Sequence, residues 1–199
     1  MSEPQNNIHP EFARQLNRVD KETLLNQRGT IVWLIGLSGS GKSTIANAME
    51  KKLHGENKFV TMLDGDNLRS GINSGLGFSD EDRQENIRRA SEIAKLFLNN
   101  GAIVLVSLIT PQEEFRKMAR TIIGEDYTEC YVKASFETCQ ARDVKGLYAK
   151  QKAGEIKNFT GKTSSFEEPQ SAEIVLDTEK HSLEECVDQL YQYITSKIS

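Results

Sequence analysis

The stretch TIVWLIGLSGSGKST, residues 30–44, joins an apolar, β-branched run to a glycine-rich segment. Residues 30–36 have the continuous apolar pattern typical of a buried parallel strand. Gly36 to Ser43 match G-x-x-x-x-G-K-[ST], in which a loop follows a strand and opens a helix. Glycines let backbone N–H groups approach phosphate oxygens without a clash from a side chain. The stretch therefore predicts a phosphate-binding loop, or P-loop, for a nucleoside triphosphate.

Each part of this loop has an expected role. The following helix turns its positive N-terminal end towards the phosphates. We expect Lys42 to reach the β- and γ-phosphates and the Ser43 hydroxyl to bind Mg²⁺. A chance glycine-rich turn is the alternative, and the strand-to-helix context argues against it. The residues predicted to bind ATP here are Gly36, Leu37, Ser38, Gly39, Ser40, Gly41, Lys42, Ser43 and Thr44.

Strand-like and helix-like segments alternate along the rest of the chain. Further strands are predicted at 59–64, 102–109, 128–134 and 172–178. Helices are predicted within 10–27 and at 42–54, 79–100, 111–123 and 183–198, with Ser79 as an N-cap. This alternation predicts a three-layer α/β fold with a parallel five-stranded sheet and helices on both faces. We expect one catalytic domain at 30–199, preceded by an N-terminal arm at 1–29.

Composition and charge narrow the classes of function. The net charge of −4 argues against a general nucleic-acid binder. No apolar run is long enough for a membrane span, and the first residues lack a signal-peptide pattern. Cys130, Cys139 and Cys186 are odd in number and widely spaced, which favours reduced thiols over a disulfide framework or a zinc site. The expected location is therefore the cytoplasm.

Two carboxylates follow the second predicted strand, in LDGDNLRSG at 63–71. Asp64 and Asp66 come at the carboxyl end of a parallel strand, where such folds bind their ligands. One carboxylate can hold Mg²⁺ through water, which we assign to Asp64. The other can deprotonate an attacking hydroxyl, which we assign to Asp66. Lys42, Asp64 and Asp66 are the predicted catalytic residues.

A second polar set lies in LGFSDEDRQENIRR at 76–89. Arg83 and Asn86 share a helix face, and with Phe78 they suit a ligand that has a base ring and an anion. The alternative is that Arg83, Arg88 and Arg89 form an ordinary solvated helix face. Because no guanine-reading N/T-K-x-D motif follows a suitable strand, a GTP switch is disfavoured. A short P-loop protein of this kind is typical of small-molecule kinases.

Together these stretches resemble the adenylylsulfate kinase (APS kinase) family from about Asn7 to the C-terminus. The family-specific motifs are DGDN-R, GFS--DR-EN-RR and D-KGLY-----GEI--FTG, followed by AEIVLDT. The resemblance implies Mg-ATP-dependent phosphorylation of the 3′-hydroxyl of adenosine 5′-phosphosulfate (APS), which gives 3′-phosphoadenosine 5′-phosphosulfate (PAPS) and ADP in sulfate assimilation. It also implies that Arg142 borders the ATP adenine. The implied APS-binding residues are Asp66, Asn67, Leu68, Arg69, Phe78, Arg83, Gln84, Glu85, Asn86, Ile109, Lys145, Asn158 and Phe159.

The segment 142–162 holds six Lys or Arg residues against two acidic residues, and three glycines. This composition predicts a basic lid that closes over polyphosphate, although a basic solvent loop is common. The sequence departs from the family at Thr110, where many members have a serine that is phosphorylated in some bacteria. Glu113 also stands where an arginine or another residue is common. A phosphoenzyme is therefore not expected here.

Two other classes of function stay open at this point. Another small-molecule kinase, of nucleoside or gluconate type, shares the P-loop. A non-catalytic nucleotide-binding module is also compatible with the loop, although intact Lys42, Ser43, Asp64 and Asp66 argue against it. The resemblance further implies ATP and APS as small-molecule partners, a homodimer, and a functional link to ATP sulfurylase.

Overall fold

The computed structural model of the chain describes residues 9–143, 146–152 and 166–198. A short 3₁₀ helix covers Phe12–Arg14. The strands are β1 Thr30–Ile35, β2 Val60–Asp64, β3 Ile103–Ser107, β4 Tyr127–Lys133 and β5 Ile174–Asp177. The helices are α1 Arg18–Leu25, α2 Lys42–Gly55, α3 Gly65–Ser70, α4 Asp80–Leu98, α5 Glu113–Ile123, α6 Phe136–Arg142, α7 Leu147–Lys152 and α8 Leu183–Ile198. No helix within these described ranges is both long enough and apolar enough to cross a membrane.

The five strands form one parallel sheet in the order β2-β3-β1-β4-β5. This confirms the predicted α/β fold, and each predicted strand lies within two residues of the observed bounds. The register pairs both Leu34 of β1 and Asp64 of β2 with Ser107 of β3. The carboxyl ends of the three strands therefore lie side by side at one edge of the sheet.

Both faces of the sheet are covered by helices, and β1 shows this within one strand. Ile31, Trp33 and Ile35 belong to the core under α4 and α5. Val32 and Leu34 belong to the opposite core, under α2 and α8. Alternate side chains of a strand point to opposite faces, so a strand covered on both faces must be apolar throughout. This is why residues 30–35 read as an unbroken apolar run.

The helix predicted within 10–27 is divided in the structure. Its second part, α1, begins after Asn17, whose side chain accepts a hydrogen bond from the Asp20 N–H while Asp20 caps the Asn17 N–H in return. This capping box fixes the helix start at residue 18 and leaves 15–17 outside it. The predicted N-cap at Ser79 is confirmed, since its hydroxyl accepts from the Asp82 N–H.

Gln27 fastens the end of the N-terminal segment to the amino edge of the sheet. Its side-chain nitrogen donates to the carbonyls of Phe59 and Gly101 at 2.9 and 2.7 Å. Its side-chain oxygen accepts from the Phe59 N–H at 2.8 Å. One buried amide thus joins the chain before β1 to the starts of β2 and β3, at the edge opposite the P-loop.

Candidate functional site

A cleft of about 910 Å³ opens at the carboxyl edge of the sheet. Its walls come from the P-loop, the ends of β2 and β3, the start of α4 and the loop that follows β5. Ligands of open parallel sheets bind at this edge because the loops after the strands diverge there. Residues 38–44 of the P-loop and part of the predicted substrate set therefore line one cavity.

The P-loop needs glycine at two positions for reasons of space as well as conformation. Gly36 has φ +144°, and a Cβ there would lie 2.5 Å from the Val132 carbonyl oxygen. Gly39 has φ +83°, and its Cβ would lie 3.0 Å from the Cys139 carbonyl oxygen. Both the left-handed backbone and the close approach to β4 and α6 exclude larger residues. These glycines set the path of the loop.

Lys42 lies at the first position of α2 and is 8% exposed. Its Nζ donates to the carbonyl oxygens of Gly36 and Leu37 at 2.9 and 2.7 Å. The ammonium group therefore lies across the mouth of the loop, at the end of a helix whose N-terminal dipole favours anions. This is the position in which a cation meets phosphate oxygens.

The other loop carbonyls are held by side chains from the C-terminal half of the chain. The Tyr148 hydroxyl donates to the Ser38 carbonyl at 2.7 Å, and the Thr178 hydroxyl donates to the Ser40 carbonyl at 3.0 Å. The Arg142 guanidinium donates to the hydroxyl and the main-chain carbonyl of Thr178 at 3.0 and 2.8 Å, which holds Thr178 in place. A trans peptide points C=O and N–H in opposite directions, so these bonds also fix the directions of the loop N–H groups. Arg142 also lines the cleft.

Three side chains meet where β2 and β3 end beneath the P-loop. The Ser43 hydroxyl donates to Asp64 Oδ2 at 2.7 Å, and its oxygen lies 3.1 Å from Ser107 Oγ. Asp64 Oδ1 accepts the Asp66 N–H at 3.0 Å, which caps α3. Sequence reasoning missed Ser107, because only the strand register places it beside Asp64.

These oxygen atoms fit Mg²⁺, which takes hard oxygen ligands and is usually held by one or two side chains together with substrate phosphates. Among the described residues, no group of three or more His, Cys, Asp or Glu side chains has metal-binding geometry. The assignment of Ser43 and Asp64 to the ion stays a prediction, and their 2.7 Å contact brings the two oxygen atoms together.

The start of α3 supplies the other carboxylate and a cation. Asp66 lies in the exposed first turn, two residues after Asp64. Arg69 lies with its guanidinium 4.4 Å from the centre of the Phe78 ring and donates to the Gly77 carbonyl at 2.7 Å. Burial lowers the pKa of Arg69 from its ordinary value. The ring and the guanidinium together form a flat wall suited to a planar ligand.

Arg83 and Asn86 line the cleft from α4 and are buried, at 8% and 4% exposure. Arg83 Nε donates to the Phe78 carbonyl at 3.0 Å, and Asn86 Oδ1 accepts from Asn73 Nδ2 at 3.0 Å. Burial lowers the pKa of the Arg83 guanidinium. A buried cation facing a cleft is unlike a solvated surface charge, so the alternative of an ordinary helix face is wrong for Arg83.

That alternative holds for the neighbouring Arg88 and Arg89. Both pair with Glu85 at 2.7 Å on the outer face of α4. The two arginines hold the pKa of Glu85 at about 2. On the same helix, Arg83 is therefore buried in the cleft wall, whereas Arg88 and Arg89 make ordinary surface ion pairs.

Several predicted substrate residues lie off the described cleft wall. Leu68 packs into the core, Glu85 faces Arg88 and Arg89, and Asn67 and Gln84 are exposed. By contrast, Asp66, Arg69, Phe78, Arg83, Asn86 and Ile109 all line the cleft. Lys145, Asn158 and Phe159 lie outside the described residues, as does most of the predicted basic lid.

Thr110, at the position of the family serine, is 2% exposed and has φ +46°. Its hydroxyl accepts a hydrogen bond from Trp33 Nε1 at 2.8 Å and lies 3.4 Å from the Leu108 carbonyl. Its own carbonyl accepts from Arg116 Nη1 at 3.3 Å. The backbone contact agrees with a local structural role for this threonine.

Arg116 also faces Glu129, with 3.8 Å between Nε and Oε2. Both side chains are buried, and the Tyr127 hydroxyl lies 3.4 Å from the same carboxylate. Burial raises the pKa of Glu129 above its ordinary value, against the opposing effect of Arg116. This buried polar group supports the loop after β3 from below.

Part of the wall was not predicted from the sequence. It comprises Leu147, Thr178, His181, Leu183 and Cys186, most of which follow β5. Those that follow β5 could have been found from the sequence, because residues after the last strand of a parallel sheet lie at its ligand-binding edge. Cys130, Cys139 and Cys186 are free and buried, and burial raises the pKa of each thiol.

Comparison with known proteins gives one consistent family. The family model for adenylylsulphate kinase matches residues 28–177. An adenylyl-sulfate kinase of Phocaeicola vulgatus is 56% identical over 189 residues, which cover 94% of this chain and 93% of the relative. One from Bacteroides thetaiotaomicron is 51% identical over 197 residues, covering 98% of each chain.

Solved structures agree with this result. The Mycobacterium tuberculosis APS kinase CysC, in complex with AMPPNP and APS, superposes with a TM-score of 0.82 at 42% identity. The match covers 84% of this chain and 98% of that chain. A gluconokinase from Sinorhizobium meliloti has a TM-score of 0.56 at 17% identity over 85% of this chain and 97% of its own, which shows a shared fold alone.

Proposed function

This chain belongs to the adenylylsulphate kinase family, and on that premise we propose that it transfers the γ-phosphate of ATP to the 3′-hydroxyl of APS. The products are PAPS and ADP, so the reaction belongs to sulfate assimilation. The observation that carries the proposal is the single cleft in which the P-loop faces Asp66, Phe78 and Arg83. The phosphates of ATP thus bind to the P-loop wall of this cavity, and the acceptor nucleotide binds to a separate wall.

On the donor side, the loop of residues 36–44 holds the ATP phosphates. Lys42 contacts the β- and γ-phosphate oxygens and lowers the energy of the charge that develops on them. Ser43 and Asp64 would hold Mg²⁺, which would neutralise phosphate charge when bound. Arg142, beside Thr178, borders the adenine.

On the acceptor side, the oxygen of the 3′-hydroxyl forms a bond to the γ-phosphorus, and Asp66 receives the proton that this hydroxyl loses. The bond between the γ-phosphorus and the bridging oxygen breaks, and that oxygen leaves with ADP. Support comes from the position of Asp66, two residues beyond Asp64 in the first turn of α3. The general base and the phosphate-binding loop thus face the same space.

The buried Arg83 and Asn86 bind the phosphosulfate group of APS. Arginine suits this anion because its planar guanidinium donates two parallel hydrogen bonds to oxyanions. Phe78, backed by Arg69, stacks on the APS adenine, and Ile109 completes the described wall. From the resemblance we retain Lys145, Asn158 and Phe159 as further APS contacts. Leu68 acts from the core, as support for the wall.

The test is a coupled assay of ADP release with ATP, Mg²⁺ and one acceptor at a time. We expect turnover with APS and at least about 100-fold less with gluconate or a nucleoside, since a site built for polar groups rejects ligands that lack them. Equal turnover with gluconate would point to another small-molecule kinase. Intact ATP in the presence of APS would point to a nucleotide-binding module without this activity.

For assembly, we propose a homodimer of a single catalytic domain at 30–199 with an arm at 1–29. Four side chains of the N-terminal segment suit a contact with another copy, since they are apolar and 66% exposed or more: Phe12, Leu16, Val19 and Leu24. Light scattering of the purified chain distinguishes the dimer from a monomer.

For location, the three free buried thiols suit the reducing cytoplasm. A functional link to ATP sulfurylase follows from the substrate, because APS must be supplied by a reaction that joins sulfate to an adenylate. Fractionation of cells and a pull-down with the purified chain test these two proposals separately.

A further inference from the structure

The Ser43 hydroxyl stands between two oxygen atoms, and its hydrogen bonds have a determined direction. Asp64 Oδ2 lies 2.7 Å from Ser43 Oγ, and an ionised carboxylate only accepts. The single Ser43 proton is therefore directed to Asp64. The Ser107 hydroxyl, 3.1 Å away, must then donate its own proton to Ser43 Oγ.

This order of donors determines which lone pair of Ser43 Oγ is left for a ligand. A hydroxyl oxygen has two lone pairs, and Ser107 engages one of them. The covalent bond, the Asp64 contact and the Ser107 contact fix three of the four directions around Ser43 Oγ. The remaining lone pair has a single direction, and both Ser43 and Ser107 line the cleft.

We propose that Ser107 is a positioning residue that fixes the rotation of the Ser43 hydroxyl and so presents its remaining lone pair to the metal ion of the bound nucleotide. This inference rests on the proposed function only for the identity of the metal–nucleotide complex. Ser107 touches neither nucleotide nor metal in this scheme and acts through Ser43.

The fold holds the Ser107 hydroxyl in a fixed position. Ser107 is 3% exposed and is the last residue of β3, paired in register with Leu34 of β1 and Asp64 of β2. It is therefore held from both sides by the neighbouring strands β1 and β2. A hydroxyl on so rigid an element keeps its direction better than one on a loop.

The experiment measures ADP binding by calorimetry, once with Mg²⁺ and once with EDTA, and takes the ratio of the two affinities. For Ser107→Ala we expect the ratio to fall by about three- to tenfold, the size of one net hydrogen bond. ADP binding in EDTA should stay within about twofold. Ser91→Ala is the matched control, because it removes another buried serine hydroxyl, which donates to the Ile87 carbonyl at 2.8 Å.

A double-mutant cycle separates positioning from general support. In Ser43→Ala the metal-dependent part of binding should be lost, and adding Ser107→Ala to it should change the ratio no further. Equal weakening with and without Mg²⁺ in Ser107→Ala would overturn the proposal, as would additive losses in the double variant. An unchanged ratio in Ser107→Ala, or a wild-type ratio near one, would overturn it too.

These measurements do not use APS, so they are independent of the proposed reaction. A metal effect in Ser107→Ala without APS-dependent turnover in the wild type would leave this inference standing and remove the proposed function. Thermal unfolding of each variant checks that the fold is retained. Ser107→Thr, which keeps a hydroxyl, should restore at least part of the ratio.

Discussion

Trp33 Nε1 donates a 2.8 Å hydrogen bond to the hydroxyl of Thr110, so the indole of the central strand holds the residue that stands where many relatives have a serine. The threonine is buried and has a left-handed backbone, which is costly for a β-branched side chain. Its hydroxyl is thus engaged in holding a strained turn in place. This argues for direct transfer from ATP to the acceptor.

Thr110 should therefore carry no phosphate during turnover. After incubation with γ-labelled ATP and Mg²⁺ but without APS, we expect no stoichiometric label on the denatured protein. Thr110→Val should keep phosphoryl transfer but lose about 1–3 kcal/mol of unfolding free energy, because the indole N–H loses its acceptor. Thr110→Ser is the control that retains the hydroxyl. Label on Thr110 that chases into PAPS would overturn direct transfer.

Lys42→Ala should lower kcat by about 10²- to 10³-fold, because one cationic donor to the developing phosphate charge is removed. Circular dichroism should show a folded chain. Lys52→Ala is the matched control, since Lys52 lies on the same helix and pairs with Asp188 at the surface. Wild-type kcat in Lys42→Ala would exclude this loop as the ATP site.

Asp66→Asn should lower kcat by about 10²- to 10⁴-fold, the usual loss when a general base is removed. Calorimetric binding of ATP should stay near the wild-type value, since the change keeps the shape of the side chain. Glu114→Gln, at an exposed position in the first turn of α5, controls for loss of one negative charge. If kcat survives and only the KM for APS rises, Asp66 binds the substrate and is no base.

Arg83→Lys should raise the KM for APS by about tenfold or more and leave ATP binding unchanged. Lysine keeps the charge but loses the planar pair of donors. Arg88→Lys is the control on the same helix, where the arginine pairs with Glu85 in solvent. Equal weakening of both substrates in Arg83→Lys would place this guanidinium between the two sites.

Glu129 should make unfolding depend on pH in a direction opposite to that of Glu85, whose pKa is lowered. Burial raises its pKa, so its contribution to stability is full below the unfolded-state pKa and is lost as pH rises through the folded-state value. The unfolding free energy of wild type minus that of Glu129→Gln should thus increase as pH falls from 7 towards the ordinary value of 4.5.

Urea unfolding at several pH values measures this difference. Glu125→Gln, at an exposed position on the preceding turn, is the control for removing one acidic group. If the difference grows as pH rises, Arg116 dominates over burial and lowers the pKa of Glu129 instead.

The sequence was most informative where a residue type has few alternative uses. The P-loop could be predicted because glycines beside a strand and before a lysine have a specific physical purpose. The five strands could be predicted because a sheet covered on both faces needs unbroken apolar runs. The short helices α3, α6 and α7 escaped prediction, since six or seven residues carry too little periodicity to stand out.

The site was less predictable because it depends on register and rotation. Ser107 is one serine at the end of an apolar strand, and only its pairing with Asp64 brings it beneath the P-loop. Arg83 and Arg88 lie in the same charged stretch of α4, yet Arg83 is buried and Arg88 is exposed. Tyr148 and Thr178 reach the loop from more than a hundred residues away, which no local pattern records.

The fastening of the P-loop carbonyls by Tyr148, Thr178 and Lys42 has a consequence for the thermodynamics of nucleotide binding. Fixing the backbone of a free residue costs about 1–2 kcal/mol of conformational entropy. In this chain that ordering is completed during folding, before any nucleotide arrives. The free energy of nucleotide binding is then not reduced by the cost of ordering the loop, and association requires no slow rearrangement of the loop. The loop glycines supply the shape, and distant side chains supply the rigidity.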